Sequence, residues 1–427
     1  MARKKILVAL IGLVISGSLL LSFACSSKTS TTSSATGTTS TTSTQTLKLG
    51  YIGPLTGPAA AWGTAQFRSI QLWADNVNSA GGIKIGNQTY NITMVSYDDQ
   101  ITPSKSLEGI QQLVLQDGIK SVFMFQNTQT VASFAMSNHV FLNTLLPAEM
   151  NASSTNIFCI GTAYPPKEFW QVAADFQANP SATKIAIVSQ NDSLGVESTG
   201  WQAAAAQSMG KQVVYDKTFP TDTSDFAPIM AAIMATKPDV ISFGSTNAGF
   251  VSLLFEQAKL QGFKGQISVD SFDTNAVIEK VGKEYIEGVI CTDPDWNAPG
   301  LPAECLNLYN QFVAKYGADA YISAPVQIFQ DIGKIWAQGA QIAGSTDGMA
   351  ISQALSSSQS LNYIYSGTFW WGKEVYGSNN YLCWDKYPMG VTKNGVITVA
   401  SWVDAASFWN QNGAGLISAA KANGTIK

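Results

Sequence analysis

From Leu47 onward, short apolar runs alternate with longer segments whose apolar positions recur every three or four residues. That alternation is the pattern of βα units stacked on a parallel sheet. Leu47, Leu49, Tyr51 and Ile52 around Gly50 predict the first strand, and Ile70, Leu72, Ala74 and Val77 share one side of the helix after it. A period of two over residues 90–98 predicts another strand, and Leu107, Ile110, Leu113 and Val114 mark a helix over 104–116. Runs at 121–125 and 141–145 read as buried strands. The alternation restarts at Phe158, with strands over 184–189, 212–218, 240–243 and 266–269. Between them lie helices over 195–209, 226–235 and 250–261, the second capped by Ser224 or Asp225. Helices over 306–316 and 326–343 follow, and from Tyr363 the chain reads as aromatic and β-like through 396–402.

Two successive α/β runs predict two lobes with a cleft between them, lined by strand-end loops and able to close on a small molecule. The stretch LKLGYIGPLTGPAAAWG at 47–63 is the organising one. Its strand runs into a Gly- and Pro-rich loop and then a helix start, where free backbone N–H groups gather. Trp62 stands at that edge, placed either to meet a ligand or to pack the loop.

The N-terminus changes the picture from a plain two-lobed protein to an exported one. Arg3, Lys4 and Lys5 precede an apolar run over 6–21, which reads as a signal peptide over 1–24. Ser22-Phe23-Ala24-Cys25 resembles a bacterial lipobox, with Ser22 where Leu is usual; lipidation of Cys25 is the expectation and ordinary cleavage after Ala24 the alternative. Residues 25–46 are Ser/Thr-rich and read as a flexible tether.

With 427 residues, 45% of them hydrophobic, the chain can bury a large core. A net charge of −4, 13% charged residues and no basic patch beyond the N-terminus exclude a nucleic-acid partner. The single histidine, His139 in SNHVFLN, reads as structural, leaving no His-based metal site or triad. There is no Gly-x-Ser-x-Gly, P-loop or Cys-x-x-Cys motif, so no catalytic residue, metal or cofactor is expected. Glu149 and Asp270 are the one acid pair a hydrolase could use. Of the five cysteines, Cys291 and Cys305 flank a loop where export permits a disulfide; Cys159 and Cys383 pair or stay as thiols.

GPLTGPAAAWG, NSAGGI at 78–83, YDDQITPSKS at 97–106, SQNDSLG at 189–195, TDTSDFAPIMAAI at 221–233 and KPDVISFG at 237–244 occur in order. Together they make the chain resemble the type I periplasmic solute-binding proteins of ABC importers, in the leucine/isoleucine/valine-binding branch, over about 47–354. The resemblance implies two Rossmann-like lobes joined by three crossovers, near Thr162, Asp295 and Gly367. Lobe 1 is then 47–162 with 296–367, and lobe 2 is 163–295 with 368–427.

It further implies a solute-binding, non-enzymatic monomer, lipid-anchored outside the cytoplasm, that hands a small polar solute to a membrane permease. A branched-chain-type amino acid is the first expectation. The alternatives are a sensor for another small molecule, such as an amide or aromatic acid, and more remotely a hydrolase. Carried over residue by residue, the site holds Trp62, the Gln126-Asn127-Thr128 loop for a ligand carboxylate, and Asp270 for an ammonium beside Phe272. Ala148 and Glu149 replace the usual small-residue/Thr pair, Leu194 replaces an aromatic, and Asn247 adds a polar contact. Glu149 would repel a ligand carboxylate unless it is protonated or turned away. In the tail, Trp370, Trp371, Tyr376, Tyr381, Trp384 and Trp402 form an aromatic cluster, read as packing near the hinge or, for Trp370 or Trp371, as cleft lining.

Overall fold

The computed structural model describes residues 44–426 apart from 58, 162–164 and 359. Cys25, the signal peptide and the first crossover near Thr162 lie outside the described residues. The first βα run comprises β1 (Gln45–Gly53), α1 (Ala60–Ser79), β2 (Ile83–Ile85), β3 (Gln88–Asp98), α2 (Pro103–Leu115), β4 (Ser121–Met124), α3 (Thr128–Ser137), β5 (Phe141–Thr144) and β6 (Ile157–Ile160). The second comprises α4 (Pro166–Ala178), β7 (Lys184–Gln190), α5 (Ser193–Ser208), β8 (Gln212–Phe219), α6 (Ala227–Ala235), β9 (Val240–Ser242), α7 (Ala248–Leu260), β10 (Gln266–Val269), α8 (Thr274–Val281) and β11 (Ile290–Cys291). Then come α9 (Ala303–Tyr316), α10 (Ser323–Ala343), α11 (Gly348–Ser357), β12 (Thr368–Trp371), α12 (Lys373–Tyr376), β13 (Tyr381–Trp384), β14 (Lys386–Lys393), β15 (Val396–Asp404) and α13 (Ala405–Ala422).

The strands form two sheets, β12-β13-β6-β5-β4-β1-β3-β2 and β15-β14-β11-β10-β9-β7-β8. Each has a parallel centre, as βα crossovers require; the first sheet ends in antiparallel pairs at both edges, the second only at its β14–β15 edge, since β8 pairs parallel with β7. β1 lies in the interior of the first sheet between β3 and β4, so Leu49, Tyr51 and Ile52 are buried. One face of that sheet packs on α1 and α10 through Trp73, Phe329 and Trp336. In the second sheet, Phe219, Phe243, Phe255 and Phe263 build the core under α6 and α7. Ala203–Ala206 in α5 are buried against α4 and α13, where small side chains let helices approach closely.

Three motifs read as family marks have clear structural work. Gly63 in α1 and Gly195 in α5 each lie against a strand-end carbonyl, of Pro54 and Gln190 respectively, where any Cβ would collide. The acidic turn holds the first loop. Asp98 accepts from the Leu55 N–H at 2.8 Å and from Thr56, while Asp99 accepts from the Ile101 N–H at 2.9 Å and the Ser106 hydroxyl at 2.6 Å.

The structure differs from the sequence reading in several places. Gln45 and Thr46, expected in the tether, already pair in β1 with Tyr90 and Asn91. β12 and β13 join the first sheet through β6, so residues 368–384 stand with lobe 1 and not with lobe 2. The chain passes to the second sheet at Asp385, between β13 and β14, and not near Gly367. The two positions are spatial neighbours nonetheless: the Asp385 N–H donates to the Gly367 carbonyl at 3.1 Å, and the Gly367 N–H to Asp385 Oδ1 at 3.0 Å. Cys291 is buried in the second-sheet core and Cys305 under Trp296, each as a thiol in its own cluster, so no disulfide spans that loop. His139 is exposed at the end of α3, 3.7 Å from Asp347.

Candidate ligand-binding cleft

Loops at the carboxyl ends of both sheets face one cavity of about 50 Å³. From the first sheet come Trp62 after β1, Phe125 and Gln126 after β4, and Leu145 and Leu146 after β5. The second sheet contributes Leu194 after β7, Ser245 and Thr246 after β9, Asp270 and Ser271 after β10, and Asp293 after β11. Lys167 enters from the first turn of α4, Gln327 and Ile328 from α10, and Trp384 from the end of β13. Each strand end terminates in a loop whose side chains point past the sheet, the usual place for a ligand in an open α/β sheet. Trp62 and Phe125 lie with ring centroids 6.5 Å apart, tilted by 59°.

A charged cluster forms the floor on the second-lobe side. Lys167 Nζ donates to Asp270 Oδ2 at 2.7 Å and to Asp293 Oδ2 at 3.1 Å. Asp270 also accepts from the Ser245 hydroxyl and, on Oδ1, from the Thr292 hydroxyl at 3.2 Å. Glu168, next to Lys167, is fully buried and accepts from the Ser198 hydroxyl at 3.0 Å and Gln202 Nε2 at 2.5 Å. Burial, reinforced by the negative charge of Asp270, pushes its carboxyl up to about 8. Burial likewise lifts Asp293 to about 6, against the pull of the Lys167 ammonium.

A second charged group lies on the first-lobe side, bonded to the residues that follow the lining Gln126 without itself lining the cavity. Asn127 has φ 66°, a left-handed conformation that Asn tolerates, and it turns successive N–H groups toward one point. Glu149, at the end of a short 3₁₀ turn (Pro147–Glu149), fills that point. Its Oε1 accepts from the Asn127 N–H at 3.1 Å. Its Oε2 accepts from the Thr128 N–H at 3.0 Å, the Thr144 hydroxyl at 2.9 Å and the Thr128 hydroxyl.

Of the residues expected in the site, the structure brings Trp62, Gln126, Leu194 and Asp270 to the cavity. The others stand elsewhere. Thr128 is fully buried and, with Asn127, is bonded to Glu149, so the expected carboxylate grip is filled from within the chain. Ala148 is exposed on the turn. Asn247 starts α7, its N–H donating to Gln190 Oε1 at 3.1 Å. Phe272 packs on Phe255 in the core, with centroids 5.5 Å apart. The side chains of Trp370 and Trp371 lie outside the described residues; the tail tryptophan that lines the cavity is Trp384.

Sequence reasoning missed Lys167, Glu168, Asp293 and Gln327. A lysine and a glutamate directly after Pro165-Pro166, at the mouth of a helix that otherwise reads apolar, were the available signal for the first two. Asp293 and Gln327 carried none, because the topology alone brings them to the cleft.

A family model described as periplasmic binding protein matches residues 46–379. The chain belongs to this family, whose members bind solutes outside the cytoplasm. A Leu/Ile/Val-binding protein homolog of Brucella abortus is 24% identical over 295 residues, spanning 64% of this chain and 70% of the relative. Among solved structures, a leucine-binding protein of Thermotoga maritima superposes with a TM-score of 0.66 at 18% identity, over 84% of this chain and 99% of that one. A solute-binding protein of an ABC transporter from R. palustris, in complex with 4-hydroxybenzoate, gives a TM-score of 0.66 at 17% identity, over 86% and 99%. Both likenesses establish the two-lobed fold.

Proposed function

We propose that this chain captures a small solute by closing its lobes over the cleft and delivers it to the permease of an ABC importer, while held at the membrane surface by lipid on Cys25. The observation that carries this reading is the convergence of strand-end loops from both sheets on one cavity. A solute held between Trp62 on one side and Leu194 on the other favours the closed arrangement over the open one, because only closure makes both contacts. The family supports solute delivery, and the relatives named for leucine, isoleucine and valine suit the apolar walls.

Small-angle scattering with and without candidate solutes, after a thermal-shift screen, tests capture. A binding solute should raise the melting temperature and reduce the radius of gyration; a panel that shifts neither overturns the reading. For the anchor, Cys25→Ala should release the protein from the membrane fraction, and continued association would remove lipidation from the account.

A further inference from the structure

We propose, resting on the solute-capture reading, that the cleft takes an uncharged small molecule with a branched or aromatic body, because the chain's own Glu149 and Lys167 occupy the places where charged ligand groups would bind. An anion entering the first-lobe side needs the concave set of donors at the start of α3. Those donors, the Asn127 and Thr128 N–H groups with the Thr128 and Thr144 hydroxyls, all serve the Glu149 carboxylate. A cation entering the second-lobe side needs Asp270. Both of its oxygens are engaged, by Lys167 and Ser245 on one and Thr292 on the other.

These internal partners hold an advantage over a free ligand. Each is tethered a short distance from its acceptor, so its effective concentration far exceeds that of a solute in dilute solution. Displacing Lys167 would also strand a charge at a buried position. A ligand carboxylate aimed at Lys167 instead would approach Asp270 and Asp293, which already share that ammonium.

What remains for a ligand to touch is apolar surface and neutral dipoles. Trp62, Phe125, Leu145, Leu194, Ile328 and Trp384 provide the walls, while Gln126 and Ser271 offer an amide and a hydroxyl; the Gln327 amide nitrogen already donates to the Pro294 carbonyl at 2.8 Å, which leaves its oxygen. A few neutral polar groups on an apolar wall orient an amide or alcohol without asking for a charge.

Calorimetry on the full chain at neutral pH tests this with matched sets: L-leucine, 4-methylpentanoate and 4-methylpentanamide; phenylalanine, benzoate and benzamide. The uncharged member of at least one set should bind ten-fold or more tighter than its charged counterparts. Tighter or equal binding of the amino acid or carboxylate overturns the ligand class and leaves solute capture standing. Silence from every uncharged compound also overturns it, and silence from all six counts against capture as well. In Glu149→Ala the α3 donors are released, so binding of the two carboxylates should improve ten-fold or more relative to the unaltered chain. An unchanged preference in a folded variant would show that Glu149 does not exclude them.

Discussion

The ammonium of Lys167 lies 2.7 Å from Oδ2 of Asp270, and less than a tenth of either side chain is exposed. Asp293 shares the same ammonium at 3.1 Å. Replacing Lys167 by Met would leave two buried carboxyls facing each other with no cation between them. Removing one partner of a buried pair costs about 3–5 kcal/mol. Lys167→Met should therefore lower the urea midpoint strongly at pH 7.5. The loss should shrink at pH 5, where Asp293, already lifted to about 6, takes up a proton. A variant as stable as the parent at pH 7.5 would remove the cluster from the stability of the fold.

Glu168 predicts a pH dependence of its own. Burial and then the Asp270 charge raise its folded pKa to about 8 from an ordinary value of 4.5, against Lys167, Gln202 and Ser198. The folded state thus binds more protons than the unfolded one between those values. The stability contributed by protonated Glu168 is complete below about 4.5 and is lost as pH rises through about 8. Glu197, lifted by burial to about 7, acts in the same direction. The melting temperature should fall from pH 5.5 to pH 8.5, and Glu168→Gln, neutral throughout, should flatten that slope. An equal slope in parent and variant would acquit Glu168.

Gly195 offers a steric test away from any charge. Its position against the Gln190 carbonyl leaves no room for a methyl group. Overpacking of this kind costs about 1–3 kcal/mol. Gly195→Ala should unfold at correspondingly lower denaturant, whereas Gly249→Ala, with open space around it, should not. Equal midpoints for the two variants would contradict the packing described for α5.

Tyr376 joins the lobes from the tail. It sits on α12, between two strands of the first sheet, and its hydroxyl donates to Glu197 Oε1 on α5 at 2.8 Å. Loss of a hydrogen bond to a buried charged group costs about 1–3 kcal/mol. Tyr376→Phe should destabilise more at pH 8.5 than at pH 5.5, since the bond matters most to the ionised carboxylate. It should also enlarge the radius of gyration of the ligand-bound form. Identical scattering curves for variant and parent would show that this contact does not hold the lobes together.

Much of this architecture is legible in the chain because its signals are local. The apolar run at Leu49–Tyr51–Ile52 and the Gly- and Pro-rich loop after it announce a central strand and a helix start, and Trp62 stands at the cleft as that placement implies. Other elements were hidden by composition. α13 carries Phe408 and Trp409 among Gly, Ser and Asn, and follows so many aromatic strand residues that its helical period is masked; only Asp404, whose side chain accepts from the Ser407 N–H, marks its start. β12 and β13 could not be assigned to a sheet because pairing with β6 depends on a partner more than two hundred residues away in sequence. The charge pairs are the least legible. Glu149 and Thr128 are separated by 21 residues, and Lys167 and Asp270 by 103. No spacing rule reaches across such gaps, so a residue read as a ligand anchor could not be seen to have a partner within its own chain.

The passage at Asp385 has a consequence for dissecting the molecule. Because strands of the tail return to the first sheet before the chain joins the second, neither half is an unbroken segment of polypeptide. A stop after residue 367 would strip β13 from β6 and β14 from β11 in one stroke, exposing raw edges on both sides. Anyone wishing to make a single half as an independent piece must splice distant fragments, and a stop before β12 would damage both halves together.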